Sequence, residues 1–494
     1  MVSLNLEGAV HPRVVVAIAL VLALLGTLFN LPGRMVQAAA PKPDIVLFYI
    51  DDFAPYPARL WDDPSRTPEL ARFANHGLEF ENAIASTPLC GPARAALLTG
   101  QYGHNNGVTQ NDIKPYDPRN TLAPKLGSKG YKTIFIGKHI NRLDQVYYSR
   151  KRMNALAKNW NRFDVIWRSQ GAFYEWRQYR KSGTTFFGSD PTDHSSYQAS
   201  RRAVEYIRAT PRNKPIFMVV SLFDGHTPMT PLKQFENDPK CQGIGGWSGP
   251  AYDEADVSDK PAFVRAHDRL GPASYDLQAR CEQLLTVDWV IGNVRQALAD
   301  TGRQFDTLQV LTADNGWLMG DHRLEGKSTP YSVDVPLYMR WPKVIGYQGR
   351  SVKEPVSNVD LAKTFCALAG CSMRQGDGKS LLPLIRGNKS KLRRDFLWAE
   401  VLHAGPSYGK TPKARPAWSG LHTTYRYDDH RWAYTKYRTG KEELYDLTRD
   451  PHRLDNLAGK SAHKKVLSDM RRFWRGVWNG DGVAWRSRMT KWSG

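Results

Sequence analysis

The sequence predicts an α/β chain in which a mostly parallel sheet, covered by helices, is followed by a smaller α+β domain. Three observations carry this expectation. Continuous apolar runs of strand length alternate with helical patterns from residue 44 to about residue 370. The first and last of those strand runs lead straight into acidic residues, Asp51-Asp52 and Asp314. Beyond about Gly370 the chain turns basic, aromatic and rich in turn formers, the texture of a second layer of structure.

Asp44 to Ile50 reads DIVLFYI, without the polar alternation of a half-exposed strand, so it suits a strand buried on both faces. Pro68 to His76 has helical spacing and is closed by Gly77. Tyr131 to Gly137 and Pro215 to Leu222 read as further buried strands. The polar, aromatic and basic stretch from Asn141 to Asp193 reads as loops and short helices over one end of the sheet. Ser274 to Asp300 is a long helical pattern with apolar residues at Leu284, Val287, Ile291, Val294 and Leu298, ended by Thr301-Gly302. Thr307 to Ala313 is another buried strand. Open α/β sheets hold ligands outside the carboxyl ends of their strands, which is where the acidic residues fall. In the last part, Phe396 to Val401 and Arg431 to Tyr437 are strand-like, and His463 to Trp478 has the pattern of a basic amphipathic helix docked on a core.

A chain of 494 residues, 41% hydrophobic and 24% charged, can bury a sizeable core and holds more than one folding unit. The expected division is 1–40, 41–370 and 371–494. Lys and Arg number 69 against 48 Asp and Glu, a formal net charge of +21, so the long-range field attracts anions. No nucleic-acid motif accompanies that charge, and basic pairs such as Arg393-Arg394 and Lys464-Lys465 read as solvated faces. Nucleic acid is therefore not an expected partner.

Val14 to Leu31 is an apolar run between His11-Pro12-Arg13 and the small residues Ala38-Ala39-Ala40, the layout of a secretory signal peptide. Its length also approaches the ~17–25 residues that span a bilayer, so an uncleaved anchor with membrane or envelope association is the alternative. Both readings imply export, to the cell envelope or as a secreted protein, and an oxidising compartment. The five cysteines, Cys90, Cys241, Cys281, Cys366 and Cys371, leave one unpaired. If that one is Cys90, the other four have three possible pairings, or some remain buried thiols.

Thr87 to Gly100 reads TPLCGPARAALLTG. Pro92 suits a first helical turn, Ala93 to Leu98 are helix formers, and Gly100 is a stop. Cys90 then sits at a helix N-terminus, where exposed N–H groups and the helix dipole favour negative charge. Arg94, four positions on, lies about one turn along and reaches back toward the same anion.

Cys-x-Pro-x-Arg followed by Ala-Ala-Leu-Leu-Thr-Gly-Gln-Tyr closely resembles the signature of the type I sulfatases, the formylglycine-dependent members of the alkaline phosphatase superfamily. Further resemblances follow in order along the chain. Asp51-Asp52 and Ala313-Asp314-Asn315-Gly316 look like the two pairs of metal ligands. Gly137-Lys138-His139-Ile140-Asn141, Gly225-His226-Thr227-Pro228 and Gly326-Lys327 resemble further active-site segments, and Val333 to Pro342 the strand that follows the last lysine. Glu443-Leu444-Tyr445-Asp446-Leu447 through Asp450-Pro451 to Asn456-Leu457 looks like the family's C-terminal hallmark. The resemblance implies an alkaline-phosphatase-like α/β/α sandwich as the catalytic domain and a C-terminal domain with an antiparallel sheet.

The implied chemistry fits the residue types. Three carboxylates and an amide oxygen are hard ligands, suited to Ca²⁺ or Mg²⁺ and poorly matched to zinc. The implied ligands are Asp51, Asp52, residue 90, Asp314 and Asn315. A formylglycine-generating enzyme would convert Cys90 to an aldehyde, whose hydrate attacks the sulfur of a sulfate ester and later releases sulfate by elimination. Asp314 would accept the attacking proton, while Lys138, Lys327 and Arg94 stabilise the transferring group and His226 and Lys327 serve the leaving oxygen. One departure stands out. Many sulfatases carry Lys-x-His at the middle segment, whereas here His139 directly follows Lys138 and Ile140 takes the expected place. The Gly-Lys-x-x-Asn form is similar to the arylsulfatase and N-acetylglucosamine-6-sulfatase branch, which makes His139 and Asn141 site candidates without an assigned role. The implied substrate is an aryl sulfate or a sulfated carbohydrate. The alternatives are a phosphonate monoester or phosphodiester hydrolase on the same machinery, and a non-catalytic glycan-binding protein if Cys90 stays a thiol.

Overall fold

Apolar runs buried on both faces become the centre of one large mixed sheet. The computed structural model describes residues 42–54, 63–169, 173–271, 277–389, 391–392, 394–403, 416–423 and 428–477. The expected signal or anchor lies outside the described residues, as do the first residues of the long helical pattern and Trp478. Among the described residues no helix is long and apolar enough to cross a membrane.

The strands of the large sheet are β1 (Asp44–Ile50), β2 (Leu78–Phe80), β3 (Lys132–Gly137), β4 (Arg162–Ser169), β5 (Trp176–Arg180), β6 (Gly183–Phe187), β7 (Ile216–Ser221), β8 (Thr307–Ala313), β9 (Leu337–Arg340) and β10 (Arg350–Val352). Their spatial order is β10-β2-β9-β8-β1-β7-β3-β4-β5-β6. The central neighbours β8, β1, β7, β3 and β4 all run parallel. Antiparallel strands β9 and β5 adjoin that block on its two sides.

The faces of the sheet follow from strand parity. Phe48 points to one side and meets Phe73 of α1 (Pro68–His76) edge-on at 6.2 Å. Phe217, in register with Ile45, points to the other side and lies 5.9 Å from Phe365. The helices α2 (Cys90–Thr99) and α3 (Leu122–Gly127) pack with the helix that carries Phe365. On the α1 side stand α4 (Ser195–Ala209) and α5 (Leu277–Asp300), with α6 (Val359–Ala369) being the Phe365 helix opposite. The result is the expected helix–sheet–helix sandwich.

One expectation fails. The Asn141 to Asp193 stretch does not only form loops and short helices; it also supplies β4, β5 and β6, which extend the sheet. Basic residues concealed them, because arginines alternate with aromatics where one strand face is solvated. In β5, Trp176 is buried against Phe187 at 4.6 Å while Arg177 is exposed.

After α6 ends at the left-handed Gly370, an antiparallel sheet forms in the order β11 (Phe396–Val401), β12 (Trp418–Thr423), β13 (Trp432–Tyr437) and β14 (Glu442–Asp446). Its apolar residues Trp398, Leu421 and Tyr434 share one buried cluster with Ala96, Tyr102 and Val359 from the large sheet's layers. The terminal helix α7 (Lys464–Val477) docks on the same cluster through Leu467 and Met470.

Two disulfides, Cys241–Cys281 and Cys366–Cys371, choose one of the three possible pairings and leave Cys90 free. The first ties the segment after His226 to α5 across a sequence separation of 40. Replacing Cys241 and Cys281 together by serine should lower stability by about 4 kcal/mol, the loop-closure entropy of a bridge of this span. A urea midpoint equal to that of the unaltered protein would contradict this.

Candidate active site

Strand register alone brings the sequence-predicted residues together. Ile50 is level with Ala313, Tyr49 with Ser221, and Ser221 with Gly137. The residues that follow these strands, Asp51-Asp52, Asp314-Asn315, Lys138 and the Gly225-His226 turn, therefore emerge side by side at one end of the sheet. Close backbone approach at this level demands glycine twice. Gly137 has φ +93°, and a methyl group there would overlap the Ser221 carbonyl oxygen. Gly225 has φ +100°, and a methyl group would overlap the carbonyl oxygen of Asp51.

Helix α2 enters the same place from the side. Cys90 is its first residue, Leu89 caps it in an extended conformation, and the left-handed Gly100 closes it, as the sequence pattern required. The Cys90 thiol is buried and receives a 2.8 Å contact from Lys327 Nζ. Burial pushes this thiol up to about 12 despite the opposing pull of Lys138 and Lys327. At neutral pH it is not a thiolate, so an unmodified Cys90 lacks the ionised form that makes cysteine nucleophilic.

Arg94 projects under the cluster. Its Nε donates to Asp314 Oδ2 at 2.7 Å, and one terminal nitrogen donates to the Lys138 carbonyl and to Ser221 Oγ, each at 2.7 Å. The guanidinium also lies 4.9 Å over the Tyr49 ring. Lys138 pairs with Asp51, and Lys327 pairs with Asp52. Asp51, Asp52 and Asp314 thus face Arg94, Lys138 and Lys327, three negative groups against three positive ones, all buried.

The individual charges are not equally satisfied. Burial raises Asp51, but Lys138 and Arg94 outweigh it and hold this carboxyl well below its usual range. Asp314 goes the other way, pushed up to about 7 by burial and by the neighbouring charge of Asp51. Asp51 Oδ1, Asp52 Oδ2 and Asn315 Oδ1 are buried and accept no hydrogen bond. Ligand atoms of Asp51, Asp52, Cys90 and Asp314 all lie within 4.8 Å of one another. Orphaned oxygens grouped around mutually repelling carboxylates fit a hard divalent cation.

His226 is the least buried of the group, and its Nε2 stands 3.6 Å from Asp52 Oδ2. His139 does not join them. Its ring is packed against Phe135 at 4.6 Å and Phe163 at 5.0 Å, and neither nitrogen makes a hydrogen bond. The reason is strand parity: Lys138 and His139 are adjacent beyond β3, and when Lys138 reaches the carboxylates its neighbour is left to the aromatic layer. His139 is thus withdrawn from the site candidates, while Asn141 is half-buried with its carbonyl oxygen unpaired.

Other residues hold the site without having been recognised in the sequence. Arg280 of α5 donates to the carbonyls of Gly225 at 2.8 Å and Asp52 at 3.2 Å. Gln283, a turn further, accepts from the Gly225 N–H at 3.0 Å. Extending the apolar stripe of α5 back from Leu284 and Val287 by four residues lands on both, and a buried Arg on an apolar stripe signals a polar partner. Lys327 is held from the opposite side by the C-terminal sheet. Trp418 donates to the Ser328 carbonyl at 3.3 Å. Tyr331, Tyr437 and Tyr445 all donate to the buried carboxylate of Glu443.

An acid–base cluster of this kind at the carboxyl ends of a parallel sheet defines a hydrolase built to hold an anionic ester. The sulfatase family model matches residues 43–371, and a model described as the C-terminal part of N-sulphoglucosamine sulphohydrolase matches residues 320–476. The chain belongs to the sulfatase family, and its reaction class is sulfuric ester hydrolysis. Among relatives, it is 28% identical over 381 residues to the extracellular sulfatase SULF-1 homolog of Drosophila melanogaster, covering 73% of this chain but only 33% of that protein. It is 26% identical to an arylsulfatase of Volvox carteri, over 86% of this chain and 73% of that one. It is 25% identical to N-acetylglucosamine-6-sulfatase of Bos taurus, over 80% and 76%. A structure solved with its substrate D-glucosamine-2-N,6-O-disulfate shares the fold, with TM-score 0.69 and 19% identity over 89% of this chain and 98% of that one.

The position of His139 yields a pH test. Burial pushes its ring down to about 3, so the folded chain keeps it neutral where the unfolded chain protonates it below about 6.5. Between those values the unfolded state binds the extra proton, and stability falls as pH falls. His139→Phe should flatten that acid loss and leave turnover within a few-fold of the unaltered protein. Thermal melts from pH 7 to 4 and a turnover assay check both parts; a folded variant at least 100-fold slower would return His139 to the reaction.

Proposed function

We propose that this chain hydrolyses sulfated carbohydrates or aryl sulfates through a formylglycine made from Cys90, with Ca²⁺ or Mg²⁺ held by Asp51, Asp52, Asp314 and Asn315. The observation that carries this reading is the position of Cys90, at a helix N-terminus, against Lys327 and within reach of all three carboxylates. A thiol pushed up to about 12 has no role there as an ionised nucleophile, whereas a precursor needs only to be placed. Its oxidation is the task of a formylglycine-generating enzyme with an external oxidant, before the chain works.

The hydrated aldehyde would supply a hydroxyl nucleophile with a second hydroxyl for later release of sulfate. A divalent cation would neutralise the carboxylates and hold a sulfate oxygen. In this reading Asp314, whose carboxylate lies within 4.8 Å of the residue 90 side chain, accepts the proton of the attacking hydroxyl. Arg94 keeps Asp314 oriented. Lys138 and Lys327 place positive charge beside the transferring group. In this reading His226, the most solvent-accessible of the group, protonates the leaving alcohol, while Lys327 contacts the same oxygen as a hydrogen-bond donor. Extracellular relatives and the sugar sulfatases among them favour a sulfated glycan and an exported enzyme, with residues 1–40 as signal or anchor and residue 370 as the domain boundary.

Peptide mass analysis of Thr87 to Gly100 from protein produced with the maturation enzyme should show aldehyde or hydrate at residue 90; thiol alone would defeat the mechanism. Cys90→Ala and Asp314→Ala should each lower kcat on an aryl sulfate by on the order of 10³-fold or more. Cys90→Ser should stop at a stable sulfate ester, visible as added mass. Removal of divalent ions by a chelator should abolish turnover, with recovery on adding Ca²⁺ or Mg²⁺. A higher kcat/KM for an aryl phosphodiester than for the aryl sulfate would favour the phosphohydrolase alternative.

A further inference from the structure

At the end of the sheet opposite the reaction site lies a second cavity, of about 690 Å³. That size falls in the range of ligand pockets. Its lining includes the first residues of β3 and β4, Lys132 and Arg162, and Lys214 just before β7. Asn159, Asn161 and Thr210 add uncharged polar groups, and among the described residues no carboxylate lines it. Lys132 and Lys138 stand at opposite ends of β3, about 20 Å apart at ~3.3 Å per residue.

The simplest account of these cations is that they offset the carbonyl ends of α3 and α4, which form part of the wall. Two helix ends carry about −0.5 each, roughly one charge in all. Lys132, Arg162 and Lys214 bring three positive charges, and none forms an ion pair among the described residues. Arg162 instead lies 5.3 Å over the Tyr206 ring. Lys181, outside the lining, donates to the Trp160 carbonyl, and burial together with Arg162 and Lys132 pulls its ammonium down. Acidic groups on the neighbouring strands are already engaged. Asp44 is paired with Arg303 at 2.9 Å, and Asp164 accepts from Tyr206 at 2.7 Å and faces Arg180 and Arg202. Three cations without ion-pair partners, beside amide and hydroxyl groups in an open cavity, exceed what two helix ends offset.

We propose that this cavity is an exosite for the sulfate or carboxylate groups of an anionic glycan. It tethers the protein to a polyanionic matrix while the reaction site on the far end of the sheet stays open. Binding here requires no turnover, so the exosite and the reaction mechanism fail or stand separately.

The test compares two triple variants of the full chain. Lys132→Gln, Arg162→Gln and Lys214→Gln empty the cavity of charge. Arg374→Gln, Arg386→Gln and Lys389→Gln remove the same charge from exposed positions elsewhere. With heparin as the probe at physiological ionic strength, the cavity variant should bind at least five-fold more weakly and the control less than two-fold, both keeping kcat/KM on a small aryl sulfate. Equal losses in the two variants would mean that net charge alone drives binding and would overturn the proposal, as would no loss in the cavity variant. Hydrogen exchange on the unaltered protein provides a second reading that depends on no variant. Heparin oligosaccharide should protect residues 131–134 and 159–162, and protection elsewhere only would overturn the assignment. Tighter binding to vesicles of anionic lipid than to heparin would overturn the choice of a glycan.

Discussion

Everything at the reaction site depends on burying three carboxylates and three cations at one level of a parallel sheet. Taking any one of these ions out of water alone costs several kcal/mol. Asp51, Asp52 and Asp314 are tolerable in the interior only because Arg94, Lys138 and Lys327 are fixed among them. That arrangement sets tight limits on backbone position. It explains why Gly137 and Gly225 are crowded against carbonyl oxygens, and why Asp52 holds a left-handed φ of 48° while its N–H donates to Asp314. Strain of this kind persists where the surroundings over-determine it.

The supports come from every layer of the fold. Helix α2 provides Cys90 and Arg94 from one face of the sheet. From the other, α5 reaches the backbone of Asp52 and Gly225 through Arg280 and Gln283. The C-terminal sheet restrains the segment after Lys327 by the Trp418 contact and by Tyr331 on Glu443. The antiparallel sheet therefore braces the segment after Lys327 as well as extending the core, where its apolar residues are interleaved with those of α2 and α6. In the sequence, the Glu443 to Asp446 motif was recognisable as a pattern, but its tyrosine-coordinated carboxylate was not.

What the sequence disclosed and what it hid follow from the range of the interactions involved. Residues at the carboxyl ends of buried strands could be grouped from the sequence, because an apolar run followed by an acid is a local pattern. The helix carrying Cys90 was legible for the same reason. Strands β4 to β6 were not, since a sheet with one solvated face admits arginines that break the apolar run. Side-chain direction beyond a strand end was also hidden. Nothing local decides whether Lys138 or His139 turns toward Asp51; the aromatic layer of Phe135, Phe163 and Tyr116 decides it, and Phe163 and Tyr116 are distant in sequence.

The loss of His139 from the site narrows the proton traffic of the proposed reaction. A divalent cation held here would add two positive charges to a cluster that faces an anionic sulfate ester. Release of sulfate in the proposed reaction needs a group that can take a proton from residue 90. Lys327 already stands on the Cys90 sulfur, and His226 lies across the Asp52 carboxylate from Lys327. Asp52 and its neighbours push the Lys327 ammonium well above its ordinary range despite burial, so it is a persistent cation and a poor base. In the proposed reaction that leaves His226, whose Nε2 stands 3.6 Å from Asp52 Oδ2, as the side chain to test for this step.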